Sequence, residues 1–288
     1  MCYRILHCLL TRRSKKDYPK MFLSPIFFLF LFAICLPNSF AEEIKSQAAV
    51  VMDASTGEIL YAKNSDYQLF PASTAKLMTA ILVMEKANLS DIVTISQKAA
   101  EAHPLKAGFK KGDKVTIEGL LFAALLKSAN DAAVALAEAI AGSEESFVSF
   151  MNEKAALIGA ANTRFINATG LPGIGQYITA LDLSRIMKYA MSYSKLKEIL
   201  ATPSAKVSTE KGKAIFLKNT DKLLWSDQQV IGGKTGYTNS AKHCFVFAAE
   251  RDGRTVIVSL LGSPTRRILW KEAKKLADRG FQMTATHK

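Results

Sequence analysis

The chain has 288 residues, of which 49% are hydrophobic, and proline and glycine occur at ordinary levels. This length and composition exclude a fibrous or disordered protein and allow one large globular unit. The net charge of +13 favours contact with anionic polymers or lipid headgroups, or simply a solvated basic face. Since the sequence contains no recognised nucleic-acid-binding motif, no nucleic acid is expected as a partner.

Residues 1–41 predict a secretory signal peptide. A basic stretch at 12–20 precedes an almost wholly apolar run at 21–36, and Ser39-Phe40-Ala41 offers the small residues that a signal peptidase requires. We expect cleavage after Ala41 and export of residues 42–288 to the periplasm or cell envelope. Because the apolar run is short for a membrane span, association with the membrane through an uncleaved leader is the alternative. Met21 is an alternative start codon.

Cysteine usage excludes an internal disulfide in the exported chain. Cys2, Cys8 and Cys35 lie in the leader, so only Cys244 remains. A single cysteine in an apolar strand is usually a small core residue. Its neighbour His243 would point to the opposite face of the strand, so the two cannot act together as thiol and imidazole.

In chain order, the first predicted elements are a β-hairpin and a buried helix. Residues 48–53 and 58–62 are extended runs joined by a turn at 54–57. Pro71 then opens a helix that we expect to run from residue 72 to about residue 87, with the proline in its first turn. This helix is apolar on most faces, which predicts a central position in the core.

The middle of the chain, from about 96 to 200, is predicted to be a helical lobe, and Thr179 is the expected N-cap of its last helix. The helical patterns lie at 116–127, 131–141, 144–159 and 179–192.

Strand-like composition returns after the lobe, and an amphipathic helix closes the chain. The strands are predicted at 230–236, 244–250 and 255–261, with a hairpin turn at 251–254, and the helix at 265–281. The whole pattern predicts an α/β fold, in which an antiparallel β-sheet from both chain ends is flanked by helices and carries an inserted all-helical lobe. A cleft between sheet and lobe is the expected site.

Ser73-Thr74-Ala75-Lys76 is the first short motif with chemical meaning. Ser73 and Lys76 lie on one helix face. Ser73 is in the first turn, where free N–H groups favour developing negative charge. A lysine can take the serine proton only if burial or a nearby cation lowers the pKa of its amine. Alone the motif is weak, because the same spacing occurs by chance in many exposed helices.

Two further motifs are also weak alone. Ser128-Ala129-Asn130 lies between two helical patterns, where a tight loop would present polar side chains to a cleft, although a helix cap is the simpler interpretation. Lys234-Thr235-Gly236 follows two glycines on a predicted strand. Its charge and hydroxyl suit a peptide carboxylate, and its glycine permits close approach of a substrate backbone.

In this order the motifs form the Ser-x-x-Lys, Ser-x-Asn and Lys-Thr-Gly set of penicillin-binding proteins and class A β-lactamases. From about residue 48 to 281 the chain resembles the D-alanyl-D-alanine carboxypeptidases of the low-molecular-mass penicillin-binding proteins, including residues 71–73, 128–138 and 162–171. The resemblance implies the β-lactamase-like fold of DD-peptidases. It also implies a serine peptidase that removes the terminal D-alanine from peptidoglycan stem peptides.

The chain departs from the family pattern at three places. Ala129 stands in the Ser-x-Asn motif where relatives often have glycine, and Tyr237 follows Lys-Thr-Gly where they often have histidine. Many relatives also carry a C-terminal β-rich domain and an amphipathic membrane anchor, whereas this sequence stops at Lys288. We therefore expect the exported form to be either free in the periplasm or held by its leader.

The resemblance implies a role for each motif residue. Ser73 attacks the penultimate D-alanine and forms an acyl-enzyme, Lys76 takes its proton, and Ser128 passes a proton to the departing D-alanine. β-Lactams acylate Ser73 as slow suicide substrates. The implied substrate-binding positions are Asn130 for the substrate amide, Lys234 and Thr235 for the terminal carboxylate, Gly236 for backbone approach, and Tyr237, whose N–H forms an oxyanion hole with that of Ser73.

Other functions stay open. A class A-like β-lactamase needs a glutamate in a loop between the second and third motifs, but residues 154–181 contain no Asp or Glu. A penicillin-recognising binding module would form only the acyl-enzyme, and nothing marks a signalling partner. His103, His243 and His287 lack metal-ligand spacing, so neither metal nor cofactor is expected. The expected partners are peptidoglycan stem peptides and β-lactam antibiotics, and the expected assembly is a monomer.

Overall fold

The computed structural model describes residues 43–285, in which both chain ends contribute to one antiparallel sheet. The strands of this region are β1 (Ala48–Asp53), β2 (Ile59–Lys63), β3 (Ile92–Thr94), β4 (Lys114–Thr116), β5 (Ser204–Ser208), β6 (Ala214–Lys218), β7 (Val230–Thr238), β8 (Lys242–Arg251) and β9 (Arg254–Ser263). The main sheet has the order β2-β1-β9-β8-β7, with all neighbours antiparallel. Strand β7 therefore forms one edge.

Helices supply the rest of the fold, which confirms the predicted class. They are α1 (Lys76–Lys86), α2 (Gln97–Glu101), α3 (Ile117–Leu126), α4 (Asn130–Ala141), α5 (Glu144–Leu157), α6 (Ala180–Ala190), α7 (Ser194–Ala201) and α8 (Arg266–Ala285). Short 3-10 turns cover Ala72–Ala75 and Leu223–Trp225.

Helices cover both faces of the main sheet. On one face, α8 packs on β8 and β9 around a buried apolar cluster that includes Phe245, Phe247 and Leu269. On the other face, a larger cluster joins the sheet to α1, α6 and the lobe helices. Leu77 and Ile81 of α1 are fully buried, as predicted for a central helix. Burying each such side chain contributes about 1.5–3 kcal/mol.

Local signals in the sequence account for several element ends. Thr179 caps α6 as predicted, because its hydroxyl accepts a hydrogen bond from the N–H of Asp182 at 3.1 Å. The predicted turn at 251–254 joins β8 to β9, and Asp252 and Gly253 both have positive φ there. Two such residues in sequence match a two-residue hairpin turn.

The structure differs from the prediction in several short strands and in one helix start. The helix predicted from residue 72 begins as a 3-10 turn, and α1 begins only at Lys76. Strand β4 lies inside the segment predicted as all-helical and pairs with β3. Each of these strands has only three residues, too few for an alternating pattern. The β5–β6 hairpin is also additional, although exposed Phe216 lies between buried Ile215 and Leu217 in a two-residue period.

The predicted signal peptide, its cleavage after Ala41 and the alternative start at Met21 lie outside the described residues. From Ile44 onward the chain forms one compact unit. The limits of a catalytic domain at 42–288, with a helical lobe at about 96–200, stay a prediction. Between residues 43 and 285, no helix combines the length and the apolar character that a membrane crossing requires.

Candidate active site

The turn that carries Ser73 has a strained backbone. Ala72 has a φ of 46°, in the left-handed region that costs about 1–3 kcal/mol for a residue other than glycine. Facing it is Gly170, where an added Cβ would lie 1.8 Å from the carbonyl oxygen of Ala72. Only glycine fits this close approach. The two residues together hold Ser73, which is partly exposed, just before the buried helix α1.

Lys76 lies beside Ser73 and donates hydrogen bonds to neutral groups. Its Nζ is 3.1 Å from Ser73 Oγ, 2.7 Å from Asn130 Oδ1 and 2.7 Å from the carbonyl oxygen of Thr169. The Ser73 contact is the longest of the three and is the one through which a proton can pass. The other two, at 2.7 Å each, fix the amine in place.

Burial and charge both act on the amine of Lys76. Only 1% of its surface is exposed, and this burial lowers the pKa of Lys76 well below its usual value. The positive charge of Lys234 lowers it further, while the carboxylates of Asp131 and Glu144 act in the opposite direction. An amine in these surroundings is suited to be neutral and to accept the proton of a serine hydroxyl.

The loop between α3 and α4 brings Ser128 and Asn130 to the same place. Ser128 has a φ of 62°, and its Oγ accepts a hydrogen bond from Lys234 Nζ at 3.0 Å. Asn130 uses both ends of its side chain, because Oδ1 accepts from Lys76 while Nδ2 donates to the carbonyl of His103 at 3.0 Å. The second bond fixes the orientation of the amide, so its oxygen faces the lysine.

Edge strand β7 places a second buried lysine against that loop. Lys234 is 1% exposed, and its Nζ donates to Ser128 and to the carbonyl of Thr235 at 2.9 Å. Burial lowers the pKa of Lys234 to about 7, and the carboxylate of Asp221 acts in the opposite direction. The Oγ1 atoms of Thr235 and Thr220 share a 2.7 Å hydrogen bond, which fixes the hydroxyl next to Lys234.

Gly236 brings β7 against the Ser73 turn. A Cβ at this position would lie 2.9 Å from the backbone nitrogen of Ser73 and 2.9 Å from the Cβ of Ala72. Any side chain would therefore push the strand away from the serine. The next residue, Tyr237, is 52% exposed, and its ring lies on that of His243 with centroids 4.5 Å apart. A role for Tyr237 beside Ser73 would consequently fall to its backbone.

The predicted site residues thus lie close together, from three separate parts of the chain. Hydrogen bonds join Ser73, Lys76 and Asn130 in one group, and Ser128 and Lys234 in a second. A cavity of about 660 Å³ is lined by Thr169 and His103, which bond to Lys76 and Asn130, but by none of the predicted site residues themselves. The structure assembles a hydroxyl, a buried amine and a second cation, which are the groups that acyl transfer requires.

Sequence reasoning missed three contributors to this site. Thr169 contacts Lys76 through its carbonyl oxygen, so its side chain gave no signal. Thr220 and Asp221 act on the Lys-Thr-Gly strand from a separate segment. No short motif marks that segment, and the one available signal is an acidic residue that follows Asn-Thr and lies two residues before an apolar Leu-Leu pair.

Comparison with known proteins identifies the class of enzyme. Residues 37–265 match the D-alanyl-D-alanine carboxypeptidase family, and the chain therefore belongs to this family. The D-alanyl-D-alanine carboxypeptidase DacF of Bacillus subtilis is 36% identical over 255 residues, which are 87% of this chain and 65% of DacF. DacB2 of Mycobacterium tuberculosis is 35% identical over 246 residues, 83% of either chain.

A solved structure supports the same assignment. The crystal structure of the Streptomyces K15 DD-transpeptidase matches with a TM-score of 0.79 at 34% identity, over 83% of this chain and 98% of that one. The predicted family, fold and class of serine peptidase are thereby confirmed. The chain spans slightly less than two thirds of DacF, so it matches the shorter relatives along more of their length.

Proposed function

We propose that the protein removes the terminal D-alanine from peptidoglycan stem peptides through an acyl-enzyme on Ser73. The observation that carries this proposal is the 3.1 Å contact between Lys76 Nζ and Ser73 Oγ in buried surroundings. A neutral Lys76 accepts the hydroxyl proton while Oγ attacks the carbonyl of the penultimate D-alanine. The N–H groups of Ser73 and Tyr237 receive the oxyanion, and losing one such donor costs about 2.7–4 kcal/mol.

Ser128 completes the proton transfer. When the tetrahedral intermediate collapses, the bond to the terminal D-alanine breaks and its nitrogen takes the proton of Ser128. Ser128 then regains the proton that Lys76 took from Ser73. The 3.0 Å bond from Lys234 holds the Ser128 oxygen in place and favours a partial negative charge on it during the transfer.

The edge of the sheet provides the binding surface for the peptide end. An extended peptide can add to the open side of β7 through backbone hydrogen bonds. The Lys234 charge and the Thr235 hydroxyl then bind the terminal carboxylate, and the close approach at Gly236 brings the scissile carbonyl to Ser73. Asn130 binds the substrate amide from the lobe side of the cleft.

β-Lactams fit the same site, because they present an amide carbonyl and a carboxylate like the substrate. Ring opening leaves the penicilloyl group on Ser73. Hydrolysis of this ester needs an activated water, and residues 154–181 contain no carboxylate for that role. We therefore expect slow penicillin turnover. The proposed location is the cell envelope, where the substrate lies, with the protein acting as a monomer that is either free in the periplasm or held by its leader.

Intact-protein mass spectrometry of residues 42–288 tests the nucleophile. After brief exposure to benzylpenicillin, the wild type should carry one penicilloyl adduct and Ser73→Ala none. Free D-alanine should appear when the wild type is given a peptide that ends in D-Ala-D-Ala. Rapid penicillin consumption without a lasting adduct would favour the β-lactamase, and an adduct without D-alanine release would favour the binding module.

The acceptor of the acyl group is a second question with a direct test. One structural relative is named a DD-transpeptidase, and a relative from Pseudomonas aeruginosa, 34% identical over 212 residues, is named a D-alanyl-D-alanine endopeptidase. We propose water as the main acceptor here. Adding glycine to the assay should then leave the free acid as the main product, whereas a dominant glycyl adduct would show transpeptidation.

A further inference from the structure

Asp221 is a buried carboxylate to which the proposed mechanism assigns no role. It has no exposed surface, and its Oδ1 accepts the N–H groups of Leu223 at 2.9 Å and Leu224 at 3.3 Å. Its Oδ2 accepts no hydrogen bond from any residue between 43 and 285. A buried carboxylate oxygen without a partner is costly in free energy, so its presence needs a compensating interaction.

The carboxylate packs directly on the Lys-Thr-Gly strand. A Cβ at Gly233 would lie 2.9 Å from Asp221 Oδ2, so the missing side chain of Gly233 makes room for the carboxylate. Neighbouring strand residues face opposite sides, and therefore the Lys234 side chain leaves β7 on the other face. Since Oδ2 accepts no hydrogen bond, Asp221 acts on Lys234 through its charge, across an interior of low dielectric constant.

The segment that carries Asp221 is fixed to both halves of the cleft. The N–H of Thr220 donates to the carbonyl of Leu126, just before the Ser128 loop, at 3.1 Å. The hydroxyl of Thr220 bonds that of Thr235, and the N–H of Asp221 donates to Asn219 Oδ1 at 2.9 Å. These bonds hold the segment of Asp221 against strand β7 and next to the Ser128 loop.

We propose that Asp221 is the counter-ion that keeps Lys234 positively charged for the terminal carboxylate of the substrate. Asp221 is thus a positioning residue, which acts on the substrate only through Lys234. Burial raises the pKa of Asp221 to about 6, and the positive charge of Lys234, at the neighbouring position of β7, opposes this rise. Because each charge favours the other, loss of the carboxylate should lower the pKa of Lys234 below about 7.

The substitution Asp221→Asn removes the charge and keeps the shape. Since the assignment rests on the proposed function, the assay compares a D-Ala-D-Ala peptide with the same peptide carrying a C-terminal amide. In Asp221→Asn, kcat/KM for the free acid should fall by about tenfold on the alkaline side, mainly through KM. The falling limb of its pH profile should move to lower pH. KM for the amide should change little, because the amide has no carboxylate for Lys234 to bind, and any fall in its kcat measures the contribution of the Lys234–Ser128 contact alone.

A matched control is Asp182→Asn. Asp182 is also fully buried and accepts hydrogen bonds from Asn162 N–H and Thr163 Oγ1 at the start of α6. This variant should lower the melting temperature and leave the pH profile unchanged. If Asp221→Asn does not fold, Asp221→Ser provides a smaller uncharged replacement. The carbon-13 chemical shift of the Asp221 carboxyl group in the wild type is an independent measurement. We expect it to be that of a carboxylate anion above about pH 7.

The outcomes distinguish a failure of the proposed function from a failure of the counter-ion role of Asp221. No D-alanine release by the wild type would overturn the proposed function. An active wild type whose alkaline limb and free-acid KM are the same in Asp221→Asn would overturn the counter-ion role alone. A carboxyl resonance that stays protonated above neutral pH would do so as well, whether or not either variant folds.

Discussion

Two buried lysines contribute to the candidate site, and the groups around them differ. Both side chains are 1% exposed. Lys76, at the start of α1, donates to a hydroxyl, an amide oxygen and a backbone carbonyl. Lys234, on edge strand β7, donates to a hydroxyl and a carbonyl but also has the buried carboxylate of Asp221 behind its strand.

The difference shows how one residue type can supply a base and a cation in the same site. Burial alone would neutralise both amines. Carboxylates oppose the effect of burial at both lysines, Asp221 at Lys234 and Asp131 with Glu144 at Lys76. The positive charge of Lys234 lowers the pKa of Lys76 further. In the proposed mechanism, the two lysines divide proton acceptance and carboxylate binding, because the charge that Asp221 favours on Lys234 in turn favours a neutral Lys76.

The largest effect on activity is expected from removing Lys76, the proposed base. Lys76→Met should lower kcat for D-alanine release by about 10²–10⁴-fold, because general-base catalysis is lost. KM should change little, since the carboxylate subsite is intact. Release is measured with a coupled D-amino acid assay, and benzylpenicillin acylation should slow in parallel. A variant that keeps near-wild-type kcat would show that another group takes the serine proton.

Removing the second lysine should affect the other kinetic constant. Lys234→Met truncates a buried charge pair, which typically costs about 2–5 kcal/mol. We expect most of this loss in KM for a free-acid peptide. The amide form of the peptide serves as the control, because its affinity should not depend on Lys234. An equal loss for both peptides would instead assign Lys234 mainly to orienting Ser128.

The pH dependence of the wild type tests both lysines at once. In the proposed mechanism, activity requires a neutral Lys76 and a charged Lys234. It should rise with pH through the pKa of Lys76, which lies well below its usual value, and fall through that of Lys234 at about 7. A bell-shaped profile of kcat/KM is therefore expected for D-Ala-D-Ala peptides. A single rising limb that stays flat above about pH 9 would contradict a requirement for charged Lys234.

The smallest expected effect comes from the threonine that fixes Thr235. Thr220→Val removes one hydrogen bond, worth about 0.5–1.5 kcal/mol, and keeps the side-chain volume. KM for the free-acid peptide should rise a few-fold, with kcat unchanged. A loss of about a hundredfold would mean that the Thr220 hydroxyl itself contacts the substrate.

The sequence was informative where the site is built from contiguous residues. Ser73 and Lys76 are one helical turn apart, so their contact follows from local geometry. The sheet was also predictable, because β8 and β9 are rich in strand-forming residues and a tight turn joins them. Long-range contacts had no such signal. The fit of Gly170 against Ala72 and the charge of Asp221 behind Gly233 depend on how distant segments pack, which no local pattern encodes.

The open side of β7 has a consequence for amide hydrogen exchange. An edge strand without a neighbour has backbone N–H groups that face solvent on alternate residues. In the free enzyme these amides should exchange rapidly, while those bonded to β8 stay protected. A bound peptide or penicilloyl group adds a partner along that side. Protection should therefore appear at every second amide between Lys234 and Thr238, a signature that reports occupancy of the cleft without any turnover.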